Sequence, residues 1–188
     1  YLPDTHKNRE IEGYLGYASG SKFIAEGVSL NTFLMPKYAG IDKTDGLPMW
    51  YKDVTDANGK VVGTTMTKEY SEATEYLCGN PTPDVYGGFG TSFSFYNFDI
   101  SASFTYSIGG LTYDSGYSTY MSPPGGTVGS NFHKDVLKAW TPENNTSDVP
   151  RFVYQDQNIN ASSDRFLVPA SYLNFQNAQI GYTIPSKV

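Results

Sequence analysis

Hydrophobic and polar positions alternate most cleanly between residues 89 and 107. Phe89, Thr91, Phe93 and Phe95 alternate with Gly90, Ser92 and Ser94; after Tyr96-Asn97, Phe98, Ile100, Ala102, Phe104 and Tyr106 alternate with Asp99, Ser101, Ser103, Thr105 and Ser107. Successive side chains of a strand point to opposite faces, so this pattern predicts a β-hairpin with one aromatic-rich face and one face of small polar groups. Each run is about 9–10 residues long, the length a tilted strand needs to cross the hydrocarbon core of a bilayer. A half-buried sheet in water alternates in the same way, so the hairpin alone leaves both environments open.

A third run follows the same rule. Ala178, Ile180, Tyr182 and Ile184 alternate with Gln179, Gly181 and Thr183, while Leu173 and Phe175 stand in the opposite phase. The phase change predicts a strand over 172–184 with a bulge near Gln176-Asn177, stopped by Pro185. Shorter signals lie elsewhere. Glu26 to Met35 alternates weakly, and Asp56-Ala57-Asn58-Gly59 between Met49-Trp50-Tyr51 and Lys60-Val61-Val62 predicts a small hairpin. Two segments, 67–77 and 131–140, carry apolar residues at helical spacing and are expected to form short amphipathic helices.

The connections are very unequal. Two residues join the first pair of strands, whereas the stretches before Gly87 and after Ser107 are long, and the second runs to about Arg165. A structureless loop of that length is out of place in a compact domain. It is normal in an outer-membrane barrel, which has tight turns on one side and long loops on the other. Tyr96-Asn97 is therefore expected on the periplasmic side and the long segments outside. Three spanning strands cannot close a barrel, and lipid does not tolerate open edges, so the chain must be part of a larger barrel or the membrane reading fails.

Composition agrees with many strands and polar loops. The 188 residues include 15% aromatic and only 17% charged side chains, with 16 Tyr, 11 Phe and 19 Gly. Mean hydropathy is −0.41, as expected where only every second strand position need be apolar. A net charge of −6 without a basic stripe argues against nucleic acid. No run of ~18 apolar residues occurs, so no transmembrane helix is expected. No charged-then-apolar leader opens the chain, so a leader was removed or the start lies elsewhere. The single cysteine, Cys78, has no internal disulfide partner and is read as a packed small residue.

Enzyme chemistry and cofactors find little support. His6 and His133 are far apart, and no nucleophile-elbow or phosphate-loop motif occurs. Asp53 with Asp56 to Gly59 lacks calcium-loop spacing, because Thr55 and Lys60 stand where ligand oxygens or a Gly are wanted. Aromatic residues outside the long strands are the better binding candidates, since an aromatic face with a polar tip suits a partly wet surface. Trp50, Tyr51, Tyr113 and Tyr117 are the residues singled out, with Trp50 and Tyr51 foremost. Packing of the loops or an interfacial aromatic girdle would account for the same residues, and Trp140 is read as packing.

Four blocks carry a family resemblance. They are Tyr38-Ala39-Gly40-Ile41-Asp42 through Gly46 to Tyr51; Gly79-Asn80-Pro81-Thr82-Pro83-Asp84-Val85-Tyr86-Gly87-Gly88-Phe89-Gly90 running into Phe95 to Ile100; Trp140 to Asn144 with Val149-Pro150-Arg151; and Ser163 to Leu167 with Ala170 to Leu173 and Ile180 to Pro185. In order and spacing they resemble the SusC/RagA-type TonB-dependent transporters of the Gram-negative outer membrane, over nearly the whole chain from about Gly27. The resemblance implies an all-β chain: part of the C-terminal half of a 22-stranded antiparallel transmembrane β-barrel, with long extracellular loops carrying short helices. On that basis residues 1–86 are mainly extracellular loop, 87–107 a membrane hairpin, 108–165 a second extracellular loop and 166–185 a membrane strand. The N-terminal plug and closing strands lie outside the sequence. The implied activity is import of a large glycan or peptide nutrient, capped by a SusD-like surface lipoprotein and driven by the TonB complex. The rival expectation is a secreted β-sandwich module that binds carbohydrate. The two differ in where the phenylalanines point: toward acyl chains in the importer, against a second stacked sheet in the sandwich.

Overall fold

The computed structural model describes residues 8–123, 129, 131–154, 156 and 158–185; His6 lies outside them. The described chain is all-β apart from one short α-helix and three 3-10 turns. It divides into two compact units, one of residues up to 79 with 113–168, the other of residues 80–112 with 169 onward.

The second unit is a three-stranded antiparallel sheet. It contains β9 (Val85–Phe95), β10 (Phe98–Ile108) and β13 (Tyr172–Tyr182), in the order β13-β10-β9. All three strands are 11 residues long. The expected two-residue turn joins β9 to β10, and Tyr96 rather than Asn97 takes the left-handed conformation there, with φ 52°. The expected bulge is present as well. Ser103 pairs with Asn177 but Phe104 with Phe175, so Gln176 has no counterpart on β10. Its side chain donates to Thr105 Oγ1 at 2.9 Å.

The bulge has a clear physical purpose. Without it, one residue of slip would put Leu173 and Phe175 on the face that carries Asn177 and Gln179. With it, the pairs Phe104–Phe175 and Tyr106–Leu173 continue the row set by Ile100–Ile180 and Ala102–Ala178. One apolar face therefore runs the length of all three strands.

The first unit holds two further antiparallel sheets. Strands β1 (Arg9–Ile11), β2 (Tyr14–Ser19), β3 (Lys22–Ala25), β4 (Thr32–Pro36) and β8 (Glu75–Leu77) form a five-stranded sheet in that order. Strands β5 (Tyr38–Ile41), β6 (Pro48–Thr55) and β7 (Val61–Thr67) form the other. Its core contains Phe23, Phe33, Leu34, Met35, Ile41, Trp50, Met121, Ile159 and Phe166. That core draws on residues of both 1–86 and 108–166. The β6–β7 hairpin forms as expected, with Gly59 in the left-handed region at φ 79° and the Asp56 carboxylate accepting from the Asn58 and Lys60 amides.

Both expected helices are corrected. Only Tyr70–Glu72 of the first is helical, as a single 3-10 turn, and 75–77 is strand β8 instead. Pairing of Tyr76 with Met35 and of Leu77 with Leu34 buries more than a lone amphipathic turn could, and tertiary pairing wins. The second contracts to a 3-10 turn, Lys134–Lys138, capped by His133 Nδ1 accepting from the Asp135 amide. The one α-helix among the described residues, α1 (Ser115–Met121), lies where no helix was expected and is capped by Asp114. β11 (Leu111–Tyr113) and β12 (Leu167–Pro169) are the short strands at the points where the chain passes between units. No helix among the described residues is long and apolar enough to cross a membrane.

Candidate functional site

The long sheet presents two chemically opposite faces. On one, Phe93, Ile100 and Ile180 share a row, as do Phe95, Phe98 and Tyr182. Aromatic rings bridge the strands: Phe89 stacks on Phe104 at 5.0 Å, Phe104 leans on Phe175 at 5.3 Å, and Phe98 meets Tyr182 at 4.7 Å. Such cross-strand pairs stabilise a sheet by roughly 0.2–1 kcal/mol each. Yet the face is uncovered. Phe93 is 61% exposed and Ile180 73%, and Phe89, Phe95, Phe98 and Phe175 are exposed as well. Among the described residues no second stacked layer buries these rings, which is the opposite of what the sandwich expectation requires.

The opposite face is small and polar. Ser94 Oγ donates to Asp99 Oδ1 at 2.6 Å, and Ser103 Oγ donates to Asn177 Oδ1 at 2.9 Å. A shallow hollow of about 250 Å³ lies among Ser92, Ser94, Asp99, Ser101 and Gln179. Hydroxyls and amides of this size offer alternate donors and acceptors to water or a polar solute.

The first unit contains a cleft of about 710 Å³ lined by Arg9, Glu12, Asp53, Tyr70, Glu75 and Tyr76, among others. Arg9 is paired with Glu75 at 2.6 Å. The Tyr76 hydroxyl donates to Asp53 Oδ1 at 2.5 Å. Burial first, and the Asp53 carboxylate second, push the Tyr76 phenol up to about 12, so it stays a donor. Among the described residues no group of three His, Cys, Asp or Glu side chains could hold a metal ion.

The four aromatic candidates separate into three places. Trp50 is 1% exposed on the inner face of β6, its ring edge-on to Tyr70 at 5.3 Å; a buried indole offers no stacking face, so it is core rather than ligand contact. Tyr51 is half-buried on the other face of the same strand. Tyr113 and Tyr117 come together on Phe166, with ring centres 5.9 and 6.3 Å away. The Tyr117 ring is edge-on to His133, and its hydroxyl donates to Asp135 Oδ2 at 3.3 Å. Burial and that carboxylate raise the Tyr117 phenol above its ordinary value. Trp140 packs against Gly46, whose φ of 72° and contact with the indole leave no room for a side chain; its Nε1–H donates to the Lys43 carbonyl at 3.2 Å. Tyr70 and Tyr76, which line the cleft, were masked in the sequence by the helical spacing of 67–77. Cys78 is half-buried, and burial pushes its thiol up to about 11, which keeps it protonated and inert.

No protein-family model matches the chain. Among curated proteins it is 27% identical over 169 residues to TonB-dependent receptor P3 of Formosa agariphila, which covers 88% of this chain and 16% of the relative. TonB-dependent receptor P26 of the same organism is 27% identical over 111 residues, covering 58% of this chain and 11% of that protein. Two solved structures are similar throughout. The RagAB peptide importer in its open-open state aligns with TM-score 0.71 and 26% identity, over 98% of this chain and 18% of that one. In its closed-closed state the TM-score is 0.67 at 27% identity, over 92% of this chain and 19% of that one. The chain therefore spans less than a quarter of the length of each of these proteins.

Proposed function

We propose, from the premise that this chain is a stretch of a SusC/RagA-type TonB-dependent transporter, that it supplies lipid-facing strands and extracellular loops to an importer in the Gram-negative outer membrane. The aromatic face of β9, β10 and β13 contacts acyl chains, and the Ser/Asn/Gly face lines a water-filled interior. The first unit is extracellular and contributes to the surface a nutrient meets. The whole barrel has 22 strands around an N-terminal plug, the TonB complex drives it, and a SusD-like lipoprotein caps it. The chain itself performs no catalysis and holds no cofactor.

One observation carries this reading: an apolar face that stays continuous through a bulge and remains bare. An 11-residue strand at ~3.4 Å per residue is about 37 Å long. At a tilt of roughly 40° it rises about 28 Å, which matches an apolar band of ~25 Å plus its aromatic borders. In water the same face would be an aggregation liability, because contiguous bare apolar patches of this kind mark a partner or a membrane.

Glycan and peptide are the two nutrient classes for such an importer. The solved relatives named as peptide importers favour the peptide. The test uses the whole protein in cells. It is expected to resist salt and alkaline extraction, to dissolve only in detergent, and to lose uptake of its nutrient when TonB is deleted. Release by salt, or uptake that ignores TonB, would overturn the proposal.

A further inference from the structure

β7 is an outer strand of the β5-β6-β7 sheet and, among the described residues, pairs only with β6. Its sequence, Val-Val-Gly-Thr-Thr-Met-Thr, contains no charge and no proline, and Val61 to Met66 are all exposed. Proteins blunt such edges with charges, prolines or covering segments, because a free row of N–H and C=O groups invites another strand. None of these devices is present within β7.

The register identifies which groups are free. Tyr51 N–H donates to the Lys37 carbonyl at 3.1 Å, and the Tyr51 carbonyl accepts from Thr74 N–H at 3.0 Å. Asp53 N–H donates to Thr74 Oγ1 at 2.9 Å. Both residues therefore turn their backbone groups away from β7. Their partners across the ladder, Met66 and Thr64, must turn theirs the opposite way, because such pairs in an antiparallel ladder do not bond each other. Two N–H and two C=O groups thus face out of the sheet at alternate residues. Among the described residues nothing bonds them. Thr64 is further held by its hydroxyl donating to Asp53 Oδ1 at 3.3 Å, which fixes this part of the edge.

We infer that the open edge of β7 at Thr64 and Met66 binds an extended peptide by strand addition, and that this is how the first unit engages a peptide nutrient. The inference rests on the importer reading above and deepens it by naming the ligand class and its mode of binding. Alternating donors and acceptors at strand spacing are the complement of another polypeptide backbone. A glycan's hydroxyls both donate and accept but fall on a different repeat, whereas an extended peptide places its N–H and C=O groups at strand spacing. Recognition through backbone groups is also indifferent to side chains, which suits a nutrient importer.

The experiment uses the whole transporter in detergent, with a fluorescent, terminally blocked decapeptide of alternating Thr and Ala as probe. Its fully N-methylated twin and a neutral linear heptasaccharide serve as competitors. Thr64→Pro and Met66→Pro each remove one outward donor and leave the bonds to β6 in place, so each is expected to weaken the peptide about tenfold or more. Thr64→Ala and Met66→Ala, which keep the backbone, are expected to bind within about twofold of the parent. The twin and the saccharide are expected not to compete. Binding unchanged by either proline, or competition by the N-methylated twin, would overturn strand addition. Should a proline variant fail to assemble, amide exchange on the parent decides. Thr64 and Met66 amides already protected without peptide mean that the protein's own remaining chain or a second copy covers the edge, and the inference is lost. Protection that appears only with the peptide supports it. A saccharide that binds while peptides do not would sink this inference and leave the importer reading standing; a protein extracted by salt alone would sink the importer reading instead.

Discussion

Strands β4 and β9 use hydrophobic residues for opposite purposes. In β4 all five residues from Thr32 to Pro36 are buried. In β9 every residue except Gly87 is exposed, including Phe89, Phe93 and Phe95. The contrast extends to their units: the first gathers Phe23, Leu34 and Trp50 into a water-excluding core, while the second spreads its phenylalanines on an outer face. Hydrophobic side chains leave water in both cases. In the first unit protein replaces the water, and in the second that part falls to a bilayer in the importer proposed above. The two regions should therefore respond differently to the same kind of substitution.

The sharpest break is removal of Gln176. Deletion makes β13 lose its phase correction, so one half of the strand presents its polar residues where the other presents Phe175 and Leu173. Assembly of the whole barrel should be abolished, seen as loss of the heat-modifiable folded band on gels. Gln176→Ala keeps the extra residue and should assemble. A deletion variant that folds would show that the continuous apolar face is not required.

Next in size is Trp50→Ala, which empties a site that is 1% exposed in the first unit. The expected cost is about 3–5 kcal/mol of that unit's stability, measurable as protease sensitivity of its loops while the strands of the second unit stay protected. If those strands become equally sensitive, the two units do not behave separately. The matching lesion in the second unit is Phe93→Arg, expected to cost roughly 2–4 kcal/mol if Phe93 lies near the bilayer midplane. Ser92→Arg, one residue away on the polar face, should cost far less. Equal effects at 92 and 93 would mean the sheet is not divided between lipid and water. Gly46→Ala is smaller again, on the order of 1–2 kcal/mol, from strain at positive φ and the collision with Trp140. A thermal shift confined to the first unit would register it.

What the sequence disclosed follows the same division. The strands of the second unit were legible down to the bulge, because a sheet with one apolar and one polar face must alternate at every position and a slip of one residue shows as a change of phase. The first unit was not legible as a folded body. Its strands are three to eight residues long, and β4 is buried on both faces, so only a weak alternation could be read over it. Helical spacing over 67–77 was misleading because the partners that claim Tyr76 and Leu77 sit on β4, about forty residues earlier. The α1 helix hid for the reverse reason. Gly116, Ser118 and Thr119 are poor helix formers, and only Asp114, whose carboxylate accepts from the Tyr117 amide at 2.8 Å, signals its start. As for sites, Tyr113 and Tyr117 do share a cluster, but the burial of Trp50 depends on tertiary packing that no local pattern records.

The smallest expected effect concerns the loop from Asp42 to Leu47 in the first unit. Lys68 Nζ lies 2.6 Å from Asp42 Oδ2 and 2.8 Å from Asp45 Oδ2. The Thr44 amide and hydroxyl donate to Asp42, and the Leu47 amide donates to Asp45. Hydrogen bonds from Lys68 come first among the causes that hold both carboxyls below the ordinary value of 3.8, Asp42 the more strongly. A depressed carboxylate favours the folded loop at pH above that ordinary value, and the advantage fades as pH falls below it toward the folded value. Protection of the Thr44 and Leu47 amides from exchange should therefore be flat from neutral pH to about pH 4 and decline below. Asp45 should lose its hold before Asp42. In Lys68→Met the decline should begin at the same pH but be smaller and end sooner, because the largest cause of the depression is gone. Strands β9, β10 and β13 carry no equivalent cluster of paired carboxylates among the described residues, so the exchange of their amides should not follow this titration. A common acid transition in both units would show that their stabilities are coupled, and would end the contrast between a first unit held by its own core and charges and a second whose apolar face is bare.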